Sequence, residues 1–339
     1  MVIFFFNNNN FLFFMILFFS TLITISSNSW LGCWIGLEIN LLSFIPLISN
    51  TMNLMSTESA LKYFLVQSIA SINFIFFVLL SLLSMNLFYN ELTSLLMNSS
   101  IFMKMGAAPF HFWFPNIIEG LSWMNCFLLM TWQKIPPMII FSYMYNFKFT
   151  MMICTISALV GAVGGLNQMS LRKILTFSSI NHISWMILAM LISENLWNFY
   201  FSVYFFMMMT ICFMFNTINC SKLNQIFFIN YNNILKILFF INFLSLGGLP
   251  PFLGFLPKWM IINFLLQNNM ILIMFVLVMS VLMTLFFYLR MSYSSLIFNT
   301  ISMKFMKNMS NIKNKMMMIT LSMNSILSMI IITMIFYLY

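Results

Sequence analysis

Apolar runs of about 20 residues follow one another along nearly the whole chain, and this restricts the fold more than any other feature. A run of that length matches the ~30 Å hydrocarbon thickness of a bilayer when coiled as an α-helix. Of the 339 residues, 62% are hydrophobic and only 6% charged, against roughly 25% charged in a soluble domain. A membrane barrel would show short alternating strands instead. The expected fold class is therefore an all-α membrane protein, read as one transmembrane domain over 1–339. The first run does not end in a small-residue cleavage site, so no removable signal peptide is expected.

Eleven spanning segments are predicted, at about 6–26, 30–49, 57–85, 92–112, 122–145, 149–167, 171–192, 196–218, 235–266, 270–290 and 316–338. The ninth is too long for one span and contains Gly247-Gly248-Leu249-Pro250-Pro251. Proline removes a helix hydrogen bond and clashes with the preceding turn, so two half-helices with an unwound joint are expected there. The fourth segment has a similar break at Gly106-Ala107-Ala108-Pro109. The two breaks are five segments apart, an odd offset, so the broken helices cross in opposite directions, as in the inverted repeats of transporters. Sequence similarity between the two breaks is weak, and this reading rests on position and chemistry.

The loops give an orientation. Lys62, Arg172, Lys173, Lys222, Lys236, Arg290, Lys304, Lys307, Lys313 and Lys315 fall at or near one side. The other side holds Lys148, Glu91 and Glu194. By the positive-inside rule the basic side, with the N-terminus, is cytoplasmic or its organellar equivalent. The basic stretch 291–315 is expected as a loop on that side, before the last helix.

Four ionisable residues lie within the apolar segments: Glu38, Lys104, Lys134 and Lys258. A charge at mid-bilayer costs about 2.5–3.5 kcal/mol even on lenient insertion scales, so these residues are expected to face the bundle interior. Glu38, next to Gly36 and Asn40, reads as a proton-exchanging carboxylate or as half of a structural ion pair. Small neighbours that leave room for water favour exchange. Lys104 precedes the first break, where an approaching carboxylate could switch a desolvated amine. Lys134 precedes Pro136 and Pro137, which free backbone carbonyls. Lys258 follows the second break, where snorkelling to the interface is the competing reading. His182, in the polar run Ser178-Ser179-Ile180-Asn181-His182, could relay a proton or simply pack. His111 reads as structural, and Glu58 with Lys62 as an i,i+4 ion pair.

Composition narrows the setting. All five acidic residues are glutamate, and the chain is crowded with Phe, Met, Ile and Asn. A/T-rich codons, with AUA read as methionine, produce that bias in mitochondrial genomes, which points to the inner membrane. The net charge of +9 is accounted for by basic loops rather than nucleic-acid binding. No CxxC pair is present, and two histidines argue against a multi-haem or haem–copper core.

Five stretches carry a family likeness: Leu37–Pro46 (LEINLLSFIP), Lys104–Pro115 (KMGAAPFHFWFP), Thr131–Pro137 (TWQKIPP), Leu171–His182 (LRKILTFSSINH) and Leu244–Trp259 (LSLGGLPPFLGFLPKW). Together they resemble the antiporter-like membrane subunits of respiratory complex I. The resemblance implies a proton channel in which a glutamate faces a lysine on a broken helix. A central lysine and a lysine on the second broken helix extend the hydrated path. Glu38, Lys104, Lys134 and Lys258 occupy those positions. It also implies that other membrane-arm subunits and inner-membrane lipids are the partners, and that this chain holds no cofactor. NADH, FMN, iron–sulfur clusters and ubiquinone would belong to partner subunits. Longer family members carry fourteen helices, and this chain resembles a form lacking the first three. Two other classes remain open on the residues alone: a stand-alone cation/proton antiporter and a structural membrane spacer.

Overall fold

Ser29, Ser122 and Ser193 each precede an apolar run, and each becomes a helix N-cap. Their hydroxyls accept from the backbone N–H groups of Gly32 (3.2 Å), Asn125 (3.4 Å) and Leu196 (3.2 Å), three residues on, as capping requires. The structure, a computed structural model, describes residues 8–50, 53–83, 87–223, 225, 233–250 and 252–297. Contacts divide the chain into two compact units, Met1–Ile156 and Ser157–Tyr339, where the sequence reading has one domain.

The first unit contains α1 (Asn8–Ser26), α2 (Trp30–Ile48), α3 (Leu54–Leu83), α4 (Leu87–Met105), α5 (Trp113–Ile118), α6 (Trp123–Met130), a 3₁₀ turn (Trp132–Lys134) and α7 (Ile135–Tyr143). Helix α8 (Phe147–Gly165) spans the boundary in sequence. The second unit continues with α9 (Leu171–Ile192), α10 (Glu194–Ile218), α11 (Asn233–Gly247), α12 (Phe255–Gln267) and α13 (Ile271–Ile297). Ten of the eleven expected segments thus fall on helices, six of them long and apolar enough to cross a membrane. Among the described residues there is no strand, only an isolated bridge between Ser170 and Lys222. Helix α13 runs to Ile297, seven residues into the stretch expected as a basic loop. The remainder of that stretch and the eleventh segment lie outside the described residues.

Both expected breaks are present, and they are built alike. At the first, Ala107 N–H donates to Phe102 (3.1 Å) and Gly106 N–H to Met103 (3.3 Å). At the second, Leu249 N–H donates to Leu244 (3.4 Å) and Gly248 N–H to Ser245 (3.1 Å). This pair of bonds is the Schellman helix stop, and it needs a left-handed residue. Gly106 at φ 74° and Gly248 at φ 81° supply it. Phe110 and Phe252 then each bond back three residues, at 2.8 and 2.9 Å. The sequence similarity judged weak has a clear register after all. Gly106, Pro109, Phe110 and Pro115 recur at identical spacing as Gly248, Pro251, Phe252 and Pro257.

Two expectations change. The fourth segment begins earlier than predicted, at Leu87, and ends at Met105, so Lys104 lies in the last turn of α4, just before the break. The fifth segment is also interrupted, because α6 stops at Thr131 and a 3₁₀ turn carries Lys134 into the proline-started α7. Proline suits the first turn of a helix but not its interior, so Pro136 and Pro137 begin a new helix.

Close packing in the second unit depends on small residues, as in membrane bundles generally. A Cβ at Gly161 would sit 2.7 Å from the backbone nitrogen of Asn181. Helix α9 is buried almost all round, from Leu171 to Ala189, and its polar side chains Thr176, Ser178, Ser179, Asn181, His182 and Ser184 are enclosed with it.

Candidate proton-carrying site

In the first unit α2, α3, the α4–α5 break and the 3₁₀ turn converge on a cavity of about 20 Å³, room for one or two waters. Lys104 and Lys134 both line it, with Asn40, Tyr63, Gln67 and Gln133. The amines are enclosed: Lys104 is 7% exposed and Lys134 2%. The polar lining is ordered by hydrogen bonds. Gln133 Nε2 donates to Asn40 Oδ1 at 2.9 Å, and Tyr63 Oη donates to Gln133 Oε1 at 3.4 Å. Gln67 Nε2 donates to the Lys104 carbonyl at 3.2 Å, which the break after α4 leaves available. Trp113 Nε1 donates to the Met103 carbonyl at 3.0 Å, folding α5 back on the end of α4. The Lys134 amine lies 5.7 Å from the Phe114 ring centroid, within cation–π range.

Glu38 is half-buried on α2, two residues before the cavity-lining Asn40. Among the described residues it makes no direct ion pair with Lys104. The expected Glu58–Lys62 ion pair is present on α3.

In the second unit Lys258 is 5% exposed. Its amine turns inward, donating to the carbonyls of Leu246 (3.2 Å) and Gly247 (3.0 Å). Snorkelling is thereby replaced by capping: the cation sits at the negative end of α11. The first break has its lysine just before the helix stop, and the second has its lysine after the stop, reaching back. His182, 5% exposed, is hydrogen-bonded through Nδ1 to Tyr200 Oη at 2.9 Å. The Tyr204 ring lies 5.0 Å from its ring. His111 is buried beside the first break, against the Phe112 ring.

Sequence reasoning missed Tyr63, Gln67, Gln133 and Tyr200 as site residues. A signal for the first two existed. Tyr63, Gln67 and Ser71 recur every fourth residue within an apolar segment, which puts them on one face, and all three are buried. Among the described residues no cluster of His, Cys, Asp or Glu could hold a metal ion.

The profile of the family described as NADH:quinone oxidoreductase/Mrp antiporter, TM, matches residues 27–284. The chain is 49% identical to NADH-ubiquinone oxidoreductase chain 2 of Anopheles gambiae, covering 90% of this chain and 91% of that one. It is 42% identical to the same-named protein of Locusta migratoria, covering 82% of each. Its fold is similar to a chain of respiratory complex I from Thermus thermophilus, with a TM-score of 0.82 at 19% identity over 94% of this chain and 77% of that one. On the family match and on identity over most of its length, the chain belongs to the NADH:quinone oxidoreductase/Mrp antiporter transmembrane family, among its NADH-ubiquinone oxidoreductase chain 2 members.

Proposed function

We propose that the chain carries protons through its own buried amines, as a membrane-arm subunit of the proton-translocating NADH:ubiquinone oxidoreductase. The family places it as a multi-pass protein of the mitochondrial inner membrane. The observation that carries the proposal is the water-sized cavity that Lys104 and Lys134, two lysines from different segments, both line. Two enclosed cations are costly in a bilayer. They repel when both are charged, so a single proton shared through the cavity is the favoured state.

Glu38 biases that sharing. When its charge is present, it stabilises a protonated Lys104. When it is neutralised, the proton is released toward Lys134 through cavity water ordered by Asn40, Gln67 and Gln133. In the second unit His182 serves as a relay and Lys258 as the amine on the second broken helix. Lys258 is seated on the helix-end carbonyls of Leu246 and Gly247. Electron transfer from NADH to ubiquinone, with FMN and iron–sulfur clusters, is assigned to partner subunits. Other membrane-arm subunits and inner-membrane lipids would cover the exposed apolar faces.

The test is Lys134→Met, which keeps bulk and removes the charge with its proton. Native electrophoresis with in-gel NADH oxidation measures assembly, and the proton/electron ratio measures coupling. A normally assembled complex with a lowered ratio is expected. Normal coupling in that variant would reduce Lys134 to a packing residue.

A further inference from the structure

The His182–Tyr200 pair is a second buried polar contact that the route through the lysines does not explain. It joins α9 to α10 inside the second unit, with both residues enclosed. An imidazole has two distinct nitrogens, and the partner of one decides which nitrogen exchanges a proton. A phenol at its ordinary pKa of about 10 stays protonated near neutrality, so Tyr200 is a fixed partner rather than a carrier. It can accept a hydrogen bond from an N–H or donate one to a bare nitrogen.

We propose that Tyr200 is a positioning residue for His182, accepting from Nδ1–H and so keeping Nε2 as the nitrogen that gains and loses the proton. This rests on the proton-carrying reading of the chain. The proton balance is simple. In the neutral ring Nδ1 carries the hydrogen and Nε2 carries the lone pair. An arriving proton binds Nε2, giving imidazolium with the Nδ1–H···Oη bond intact. Loss of the same proton from Nε2 restores the start. The ring need not turn, and Tyr200 need not change its proton.

The arrangement around the pair supports a fixed ring. Tyr204 packs against the imidazole with its ring tilted 44°. Two tyrosines one helical turn apart on α10 therefore have separate tasks: Tyr204 confines the ring and Tyr200 holds Nδ1. On the neighbouring α9, Asn181 bonds across to Ser280 of α13 at 3.4 Å, so this turn of α9 is pinned on both sides. The other titratable or charged groups on elements packed against α9 are Glu194 and Cys212 on α10, Lys258 on α12, Tyr288, Arg290 and Tyr293 on α13, and Lys148 and Cys154 on α8.

The test compares Tyr200→Phe, Tyr204→Phe, His182→Gln and Lys134→Met in the assembled complex. The proton/electron ratio is measured per assembled complex across neutral pH. Tyr200→Phe keeps the ring and removes one hydroxyl, so a loss of at least half that seen in Lys134→Met is expected. Its pH dependence should move relative to wild type, because either nitrogen of a freed ring can titrate. Tyr204→Phe should leave the pH dependence unmoved, and a merely structural role for both tyrosines would not produce that contrast with Tyr200→Phe. In a His182→Gln background, Tyr200→Phe should add no further loss, and this non-additivity is read even where abundance falls. A wild-type ratio and pH dependence in Tyr200→Phe, with Lys134→Met uncoupled, overturns the role of Tyr200 and leaves the lysine route standing. Normal coupling in both variants overturns the proton-carrying reading itself.

Discussion

The amine of Lys258 reaches back across the break in its own segment and donates to the carbonyl of Gly247 at 3.0 Å. A Cβ on Gly248, next in the chain, would lie 3.0 Å from that amine and 3.1 Å from Lys258 Cδ. Gly248 also has φ 81°, which costs a residue with a side chain roughly 1–2 kcal/mol. Gly248→Ala should therefore both strain the helix stop and displace the amine. Lower thermal stability together with a lowered proton/electron ratio is expected. Stability loss with coupling untouched would mean that the seat of the amine is irrelevant to function.

The neighbouring glycines separate backbone strain from close packing. At Gly254 a Cβ would run into the carbonyl oxygen of Ser245, which is backbone and cannot step aside. At Gly247 the nearest atoms to a Cβ are side-chain carbons of Leu285 and Tyr288 at 3.6 Å, an ordinary contact. Gly254→Ala should abolish or greatly lower assembled complex, by a few kcal/mol of overpacking. Gly247→Ala, at the end of α11, should be close to neutral. Quantifying complex abundance for both variants decides it, and equal effects would contradict the geometry.

Glu38 and Lys104 should behave as a coupled pair. Glu38→Gln leaves a buried amine without its counter-charge, and Lys104→Met leaves a carboxylate without its cation. Removing both is expected to harm assembly less than the worse single change, since an uncompensated buried charge costs more than none. Pumping through this chain should not return, because no alternating group is left. A double-mutant cycle on both readouts measures this. Strictly additive losses would show that the two residues do not communicate.

The orientation is open to a direct test. The charge asymmetry puts the N-terminus and the basic stretch 291–315 on the matrix side. Protease added to the outer face of mitoplasts should leave 291–315 uncut. Cleavage there would invert the assignment.

Segment positions and both Gly/Pro breaks were legible in the sequence because their causes are local. A 20-residue apolar run becomes a helix in lipid wherever it lies, and a Gly–Pro stop ends a helix without help from distant residues. The five ionisable candidates, Glu38, Lys104, Lys134, His182 and Lys258, were visible for a related reason: charge and polarity at bilayer depth stand out against an apolar background. Local signals also have limits. Helix α4 begins before its apolar pattern does, and the stop at Thr131 was hidden in a run that reads as one span.

What only the tertiary structure decided is which groups meet and which way long side chains point. Lys104 and Lys134 share a cavity because α2, α3 and two helix ends bring Asn40, Tyr63, Gln67 and Gln133 around one point. No spacing along the chain encodes that convergence. Lys258 could snorkel outward or fold inward on the same flexible stem. The inward choice follows from the carbonyls that the helix stop leaves exposed. His182 likewise acquires its Tyr200 partner from α10. A polar residue in a membrane segment reveals itself by its cost, but its partner is set by packing between helices, which depends on residues far apart in the chain.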